Sequence, residues 1–78
     1  MIKLTNIERT GRNVSMIVES MDTIPHQKYR LTFDVETEKY SASIKNPDSF
    51  DVEKIIRKIS SYLEEEKKLP VIDCIACY

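Results

Sequence analysis

The sequence predicts an α+β domain of two layers, a four-stranded antiparallel β-meander with one C-terminal amphipathic helix packed on one face and room for an added C-terminal strand. Through Ile44 the apolar residues recur at every second position, and from Asp48 to Leu69 they recur at helical spacing. Side chains return to one face every 2 residues in a strand and every 3.6 in a helix, so the change of period marks a change of structure. A single domain, 1–78, is predicted with strands at about 2–8, 13–20, 28–36 and 39–45, a helix at about 49–68 and an apolar tail at 70–78.

The first hairpin is predicted to turn at Thr10-Gly11-Arg12, which contains the only glycine of the chain. Glycine tolerates the positive φ of tight turns. Pairing Ile7 with Val14 is compatible with this turn. It places the earlier apolar residues of the strand, Ile2 and Leu4, on the opposite face from Ile7. A β-bulge near Thr5-Asn6 would restore their face. It would place Ile2 opposite Val18 and Leu4 opposite Met16.

The second hairpin is predicted from two segments of strict alternation. Their apolar members are Tyr29, Leu31, Phe33 and Val35 in one segment and Tyr40, Ala42 and Ile44 in the other. A connection centred on Thr37-Glu38 puts Val35 opposite Tyr40 and Leu31 opposite Ile44, with every apolar residue on one face. Because Thr-Glu is not a favoured two-residue turn, a wider loop is expected.

The helix is predicted to start at Pro47-Asp48-Ser49, where Asp48 and Ser49 are both good N-cap residues. Pro70 cannot continue a helix, so the helix should end near Leu69. Its apolar stripe consists of Val52, Ile55, Ile56, Ile59 and Leu63. This spacing is typical of a helix that lies on the apolar face of a sheet.

One helix is too narrow to cover this sheet. Four strands about 4.8 Å apart span nearly 20 Å, whereas a helix is about 10 Å across. The apolar tail is the natural cover for the remainder, and two alternatives are open. The tail folds back as an added strand or cover, or it meets a second copy or another protein. Its interface candidates are Val71, Ile72, Ile75 and Tyr78.

The tail also contains a C-x-x-C pattern, Cys74-Ile75-Ala76-Cys77. Thiol–disulfide enzymes place the first cysteine of this motif at a helix N-terminus, but here only Tyr78 follows the motif. Two such tails could supply four thiolates to zinc, so Cys74 and Cys77 are metal-ligand candidates in a dimer. The simpler interpretation is that the thiols fill apolar space. We predict no catalytic or cofactor-binding residues and no cofactor.

Charge and hydropathy limit the classes of partner. The chain contains 41% hydrophobic and 32% charged residues with a net charge of −1, which is typical of a folded protein without a basic surface. Nucleic acid is therefore an unlikely partner unless the basic residues Arg9, Arg12, Lys28, Arg30 and Lys45 cluster after folding. No segment approaches the roughly 18 apolar residues of a membrane span, and the N-terminus lacks a signal-peptide pattern. We predict no membrane association and a cytoplasmic location.

The order of the elements along the chain gives a further expectation. An opening Ile-Lys-Leu-Thr-Asn-Ile strand is followed by a short charged turn, further strands, a helix, Leu-Pro and a short tail ending in Tyr78. This arrangement resembles short reading frames carried by bacterial phages and integrative elements. The resemblance implies a small accessory or host-interacting protein that works by binding, and it assigns no functional residue.

The predicted function is a non-enzymatic protein-interaction module, self-associating through the C-terminal tail and the uncovered sheet or helix surface. One alternative is a zinc-linked dimer through Cys74 and Cys77. Another alternative is a weak nucleic-acid-binding accessory protein. The expected partner is a second copy or another protein.

Overall fold

The computed structural model describes residues 1–21, 26–65, 68–71 and 73–75. Its elements are β1 (Ile2–Thr10), β2 (Asn13–Ser20), β3 (Gln27–Asp34), β4 (Tyr40–Ala42), α1 (Ser49–Glu64) and β5 (Asp73–Ile75). The strands form one antiparallel sheet in the order β4-β3-β2-β1-β5. The predicted α+β meander with one helix is confirmed, and part of the tail supplies the added strand.

The first hairpin has the predicted bulge but a different register. Gly11 takes φ 59° in a two-residue loop, and the ladder shifts between Thr5 and Glu8, where Asn6 takes φ 52°. Leu4 therefore lies opposite Val18, and Ile2 lies opposite Ser20, two residues from the predicted pairing. The tighter loop accounts for the shift. Because the shift is two residues, every apolar side chain keeps its predicted face.

Asn6 is the residue whose conformation makes this bulge. Left-handed backbone is tolerated by asparagine and glycine but strains a β-branched residue. Asn6→Val is expected to lower the free energy of unfolding by about 1–2 kcal/mol, whereas Asn6→Gly should stay within about 0.5 kcal/mol of the parent. Urea unfolding followed by circular dichroism measures both. Equal stability of the valine and glycine variants would contradict a bulge at this residue.

The second hairpin closes two residues earlier than predicted. Phe33 lies opposite Tyr40, and Leu31 lies opposite Ala42 instead of Ile44. A loop of residues 35–39 connects the strands, and Glu38 takes φ 61° in it. The strand β4 is shorter than the predicted 39–45. It ends where Ser43 Oγ accepts the Arg30 N–H at 2.9 Å, in the place of a backbone carbonyl.

Asp34 organises this loop and joins it to the first turn. Its Oδ1 accepts the N–H groups of Glu36 and Thr37 at 2.8 and 3.2 Å, and its Oδ2 accepts Arg12 at 2.9 Å. The pKa of the Asp34 carboxyl is lowered mainly by the two N–H groups and further by Arg12. The carbonyl of Arg12 also accepts the Val35 N–H at 2.8 Å. The two turns therefore form one connected end of the sheet, and β3 ends at Asp34 instead of residue 36.

The helix α1 begins as predicted and ends early. Asp48 is the N-cap, and its Oδ1 accepts the N–H groups of Phe50 and Asp51 at 2.9 and 3.2 Å. The helix ends at Glu64 instead of residue 68, and Glu65 is the C-cap. Consecutive glutamates with no basic residue in the last turn oppose the helix dipole, which accounts for the early end.

The core lies between α1 and the inner faces of β1, β2 and β3. Its fully buried members include Leu4, Val18, Leu31 and Ile55, each 0% exposed. Burial falls off at β4, where Tyr40 is 47% exposed and Ala42 is only partly buried. The helix thus covers three strands of the sheet and leaves one side open.

The tail lies along the edge of the sheet opposite β4. Leu4 in β1 lies opposite Asp73 in β5, and the Asp73 carboxylate accepts the Tyr62 hydroxyl at 3.1 Å and pairs with Lys58 Nζ at 3.3 Å. The Val71 carbonyl accepts the Ile7 N–H at 3.0 Å. For residues 71 and 73–75, the structure shows the first alternative, in which the tail adds a strand to its own sheet.

Candidate interaction groove

A groove separates α1 from β4 and the loop that precedes it. The α1–β4 groove encloses about 390 Å³. Its lining residues are Glu38, Tyr40, Ser49, Val52, Glu53, Ile56 and Arg57. The groove exists because the helix lies over the first three strands and the tail fills the opposite flank.

The groove continues along the helix toward its C-terminal end. A second concavity of about 300 Å³ shares Glu38 with the first. Its other lining residues are Arg9, Val35, Ser60, Leu63 and Glu64. Together the two follow α1 from Ser49 to Glu64, which is about 22 Å at the rise of an α-helix. That length would accommodate a helix or an extended segment of several residues.

The first part of the groove combines an apolar floor with one aromatic residue at its rim. Val52 and Ile56 are buried in the floor, and Tyr40 is half-exposed at one rim. Phe50 lies beside Ser49 at the start of the helix and is 74% exposed. An exposed aromatic side chain beside an apolar floor is typical of protein-interaction sites. The charged rim contains Glu38 and the ion pair between Glu53 and Arg57.

Buried polar side chains lie near the helix N-terminus, outside the lining of the groove. Ser20, which is fully buried, donates from Oγ to Asp51 Oδ2 at 2.7 Å. The buried Tyr29 hydroxyl accepts or donates no hydrogen bond within residues 1–21, 26–65, 68–71 and 73–75. Burial, followed by the carboxylates of Asp51 and Asp48 and by Tyr40, raises the pKa of Tyr29 to about 12. The region of the helix N-terminus therefore holds a neutral phenol that the carboxylates of Asp51 and Asp48 influence electrostatically.

Another concavity, of about 400 Å³, lies at the bulge. Its lining residues are Asn6, Ile7, Glu8, Met16, Ile17, Arg30 and Val71. Val71, one of the predicted interface residues, is 65% exposed here. This concavity is a competing candidate, and it differs from the α1–β4 groove in having no aromatic lining residue.

The other predicted site residues are only partly placed. Ile75 lies opposite Ile2, and Cys74 lies opposite Lys3. Three of the predicted residues, Ile72, Cys77 and Tyr78, lie outside the described residues. Among the described residues, no three His, Cys, Asp or Glu side chains lie close enough together to hold a metal ion. His26 is exposed and lies outside the three concavities.

Sequence reasoning missed Tyr40 and Phe50 as site residues. Tyr40 has the predicted inner-face parity, but its exposure follows from its place on an edge strand, which a period-two pattern does not reveal. Phe50 offered a signal, because it is an aromatic residue in the helix that falls outside the apolar stripe beginning at Val52. An aromatic residue off the buried stripe indicates an exposed contact residue.

The five basic residues considered for nucleic acid do not form one patch. Arg12 is bound by Asp34 and Glu36 at the turn end of the sheet. Lys28 lies near the other end of β3, about 20 Å away at the rise of a strand, and faces Glu19 across the ladder. A surface with this separation and pairing does not match the concentrated positive charge of a nucleic-acid site.

Two further findings bear on function. In the part of the chain that the structure describes, no helix is both long and apolar enough to cross a bilayer. Comparison with protein-family models, with curated proteins and with solved structures gives no match to this chain. The geometry of the α1–β4 groove is therefore the main indication of function.

Proposed function

We propose that this chain is a non-enzymatic protein-interaction module that self-associates through the α1–β4 groove. The observation that carries the proposal is the unequal covering of the inner sheet face. The β1 flank is closed by β5 and its Asp73 contacts, whereas the β4 flank is open and bears exposed Tyr40, and exposed Phe50 follows the lining residue Ser49 at the start of α1. Interface hot spots are enriched in aromatic residues that fill pockets with apolar surroundings.

The charge of the chain supports a second copy as the partner. With a formal net charge of −1, two copies repel each other only weakly. Two of the three charged lining residues of the first concavity, Arg57 and Glu53, form an ion pair within one copy. The groove therefore offers apolar contact without a large like-charge penalty.

Phe50→Ser is expected to weaken self-association at least tenfold, which corresponds to about 1.4 kcal/mol of dimer stability. The phenyl ring is mostly exposed in one copy, so its removal costs an interface contact and leaves the core intact. Native mass spectrometry under reducing conditions and sedimentation velocity over a concentration series up to about 1 mM measure the effect.

Val71→Ser is the matched control, because Val71 is also exposed but lies on the tail side of the sheet. Loss of the dimer in Val71→Ser alone would move the interface to the tail, as the sequence suggested. A parent protein that stays monomeric throughout the series would contradict self-association. A zinc-loaded dimer that Cys74→Ser abolishes would instead support the zinc-linked alternative.

Three sequence-based expectations stay predictions beside this proposal. They are the cytoplasmic location, the origin in a phage or integrative element and the weak nucleic-acid binding of the second alternative. The last has a direct signature, since binding through phosphate contacts falls steeply as salt is raised. Apolar association through Phe50 would not weaken in this way.

A further inference from the structure

We infer that two copies join through their β4 strands, antiparallel across a two-fold axis, into one continuous ten-stranded sheet. This inference rests on the self-association proposed above and specifies its geometry. The backbone N–H and C=O groups of β4 alternate between the side of β3 and the open edge. The Lys39 carbonyl accepts the Asp34 N–H at 2.9 Å, and the Ser43 N–H donates to the Arg30 carbonyl at 3.0 Å.

Backbone groups of successive residues alternate in direction along an antiparallel strand. The backbone groups of residues 39 and 43 point toward β3, and those of Ser41 follow the same parity. The N–H and C=O groups of Tyr40 and Ala42 therefore point outward, away from β3. Neither residue has a backbone hydrogen bond on that side within the described ranges. The outer edge of β4 thus presents two donors and two acceptors, which an added strand can satisfy.

The same edge is complementary to itself. In an antiparallel pair centred on Ser41, Tyr40 of each copy lies opposite Ala42 of the other, and four backbone hydrogen bonds form. A large side chain then faces a small one on the inner face, so the two tyrosine rings do not collide. Each ring would lie over the uncovered flank of the sheet, where Tyr40 is now 47% exposed.

Charge favours the antiparallel direction. The loop at one end of β4 carries the exposed acid Glu38, and the bend at the other end carries the exposed base Lys45. A two-fold axis through Ser41 brings the acidic end of each copy to the basic end of the other. The two α1–β4 grooves then meet over the axis and exclude water from Tyr40, and the exposed Phe50 follows the lining residue Ser49 in each copy.

A cysteine at the axis tests this geometry. Two Ser41 residues would form a non-hydrogen-bonded pair with Cα atoms about 4.5–5.5 Å apart, within the range that a disulfide spans. In a Cys74→Ser, Cys77→Ser background, Ser41→Cys should form an intermolecular disulfide under mild oxidation at least ten times faster than Lys39→Cys. Residue 39 has the same parity, but its copies would be about 13 Å apart.

Ala42→Pro supplies a second test. Proline removes the outward N–H of residue 42 without removing a hydrogen bond to β3, so dimerisation should weaken at least tenfold while the monomer stays folded. Dimers in which Ser41→Cys oxidises no faster than Lys39→Cys would overturn the β4 pairing and leave self-association standing. A monomeric parent protein would overturn both proposals.

Discussion

Phe33→Ala is expected to lower the free energy of unfolding by about 3–5 kcal/mol. The ring is 1% exposed and packs in β3 between Val14 of β2 and Tyr40 of β4. Its removal loses transfer energy and leaves a cavity in a close-packed core. A domain of this size has a total stability of roughly 4–12 kcal/mol, so this single change removes a large part of it. Urea unfolding followed by circular dichroism measures the loss.

Phe50→Ala is the matched control, since it makes the same chemical change at a residue that is 74% exposed. We expect its stability to stay within about 0.5 kcal/mol of the parent at protein concentrations where the chain is monomeric. A loss comparable to that of Phe33→Ala would mean that Phe50 is packed in the monomer. The proposed interface would then lose an exposed aromatic contact residue.

The buried Tyr29 hydroxyl is expected to make the fold sensitive to alkali. Its pKa is raised from the ordinary 10.0 to about 12, chiefly by burial and then by Asp51 and Asp48. The unfolded chain therefore loses this proton first, and stability is complete below pH 10 and falls as pH rises toward the folded pKa. By about pH 11 the loss should be about 1.4 kcal/mol.

Tyr29→Phe isolates this contribution. Every other titrating group is the same in the two proteins, so the difference between their unfolding free energies should grow with pH in favour of Tyr29→Phe. Below pH 9 the variant should equal or slightly exceed the parent, because it removes a buried hydroxyl that has no hydrogen-bond partner among the described residues. A difference that is independent of pH would show that Tyr29 titrates normally in the folded protein.

The faces of the strands were predictable from the sequence, whereas the registers were not. Parity alone decides whether Leu4 or Phe33 points to the core, so both faces are as predicted. The register depends on how each turn closes, and in the second hairpin this is decided by the Asp34 carboxylate, which caps two N–H groups of the loop. A period-two pattern does not contain that information.

The candidate site was predictable only in part. The width of the sheet predicted that one helix leaves a flank open, and this flank is the origin of the α1–β4 groove. Which flank stays open could not be predicted, because a tail that is apolar on both sides fits a buried strand and an interface equally well. Asp73 fixes the position of the tail by pairing with Lys58 and Tyr62. In the sequence, Asp73 was notable only as the one charged residue of the tail.

The pairing of β1 with β5 has a consequence for how the chain reaches its native state. The meander of β1 to β4 forms from neighbours in sequence, but β5 reaches β1 only after β2, β3, β4 and α1 intervene. Closing such a long loop costs chain entropy before its contacts form, which makes it a late step in folding. Until then Ile2 and Leu4 lie in a second unprotected edge. The nascent domain therefore passes through a state in which the nine-residue β1 is an edge strand, and the docking of β5 replaces part of that edge with a strand of three residues.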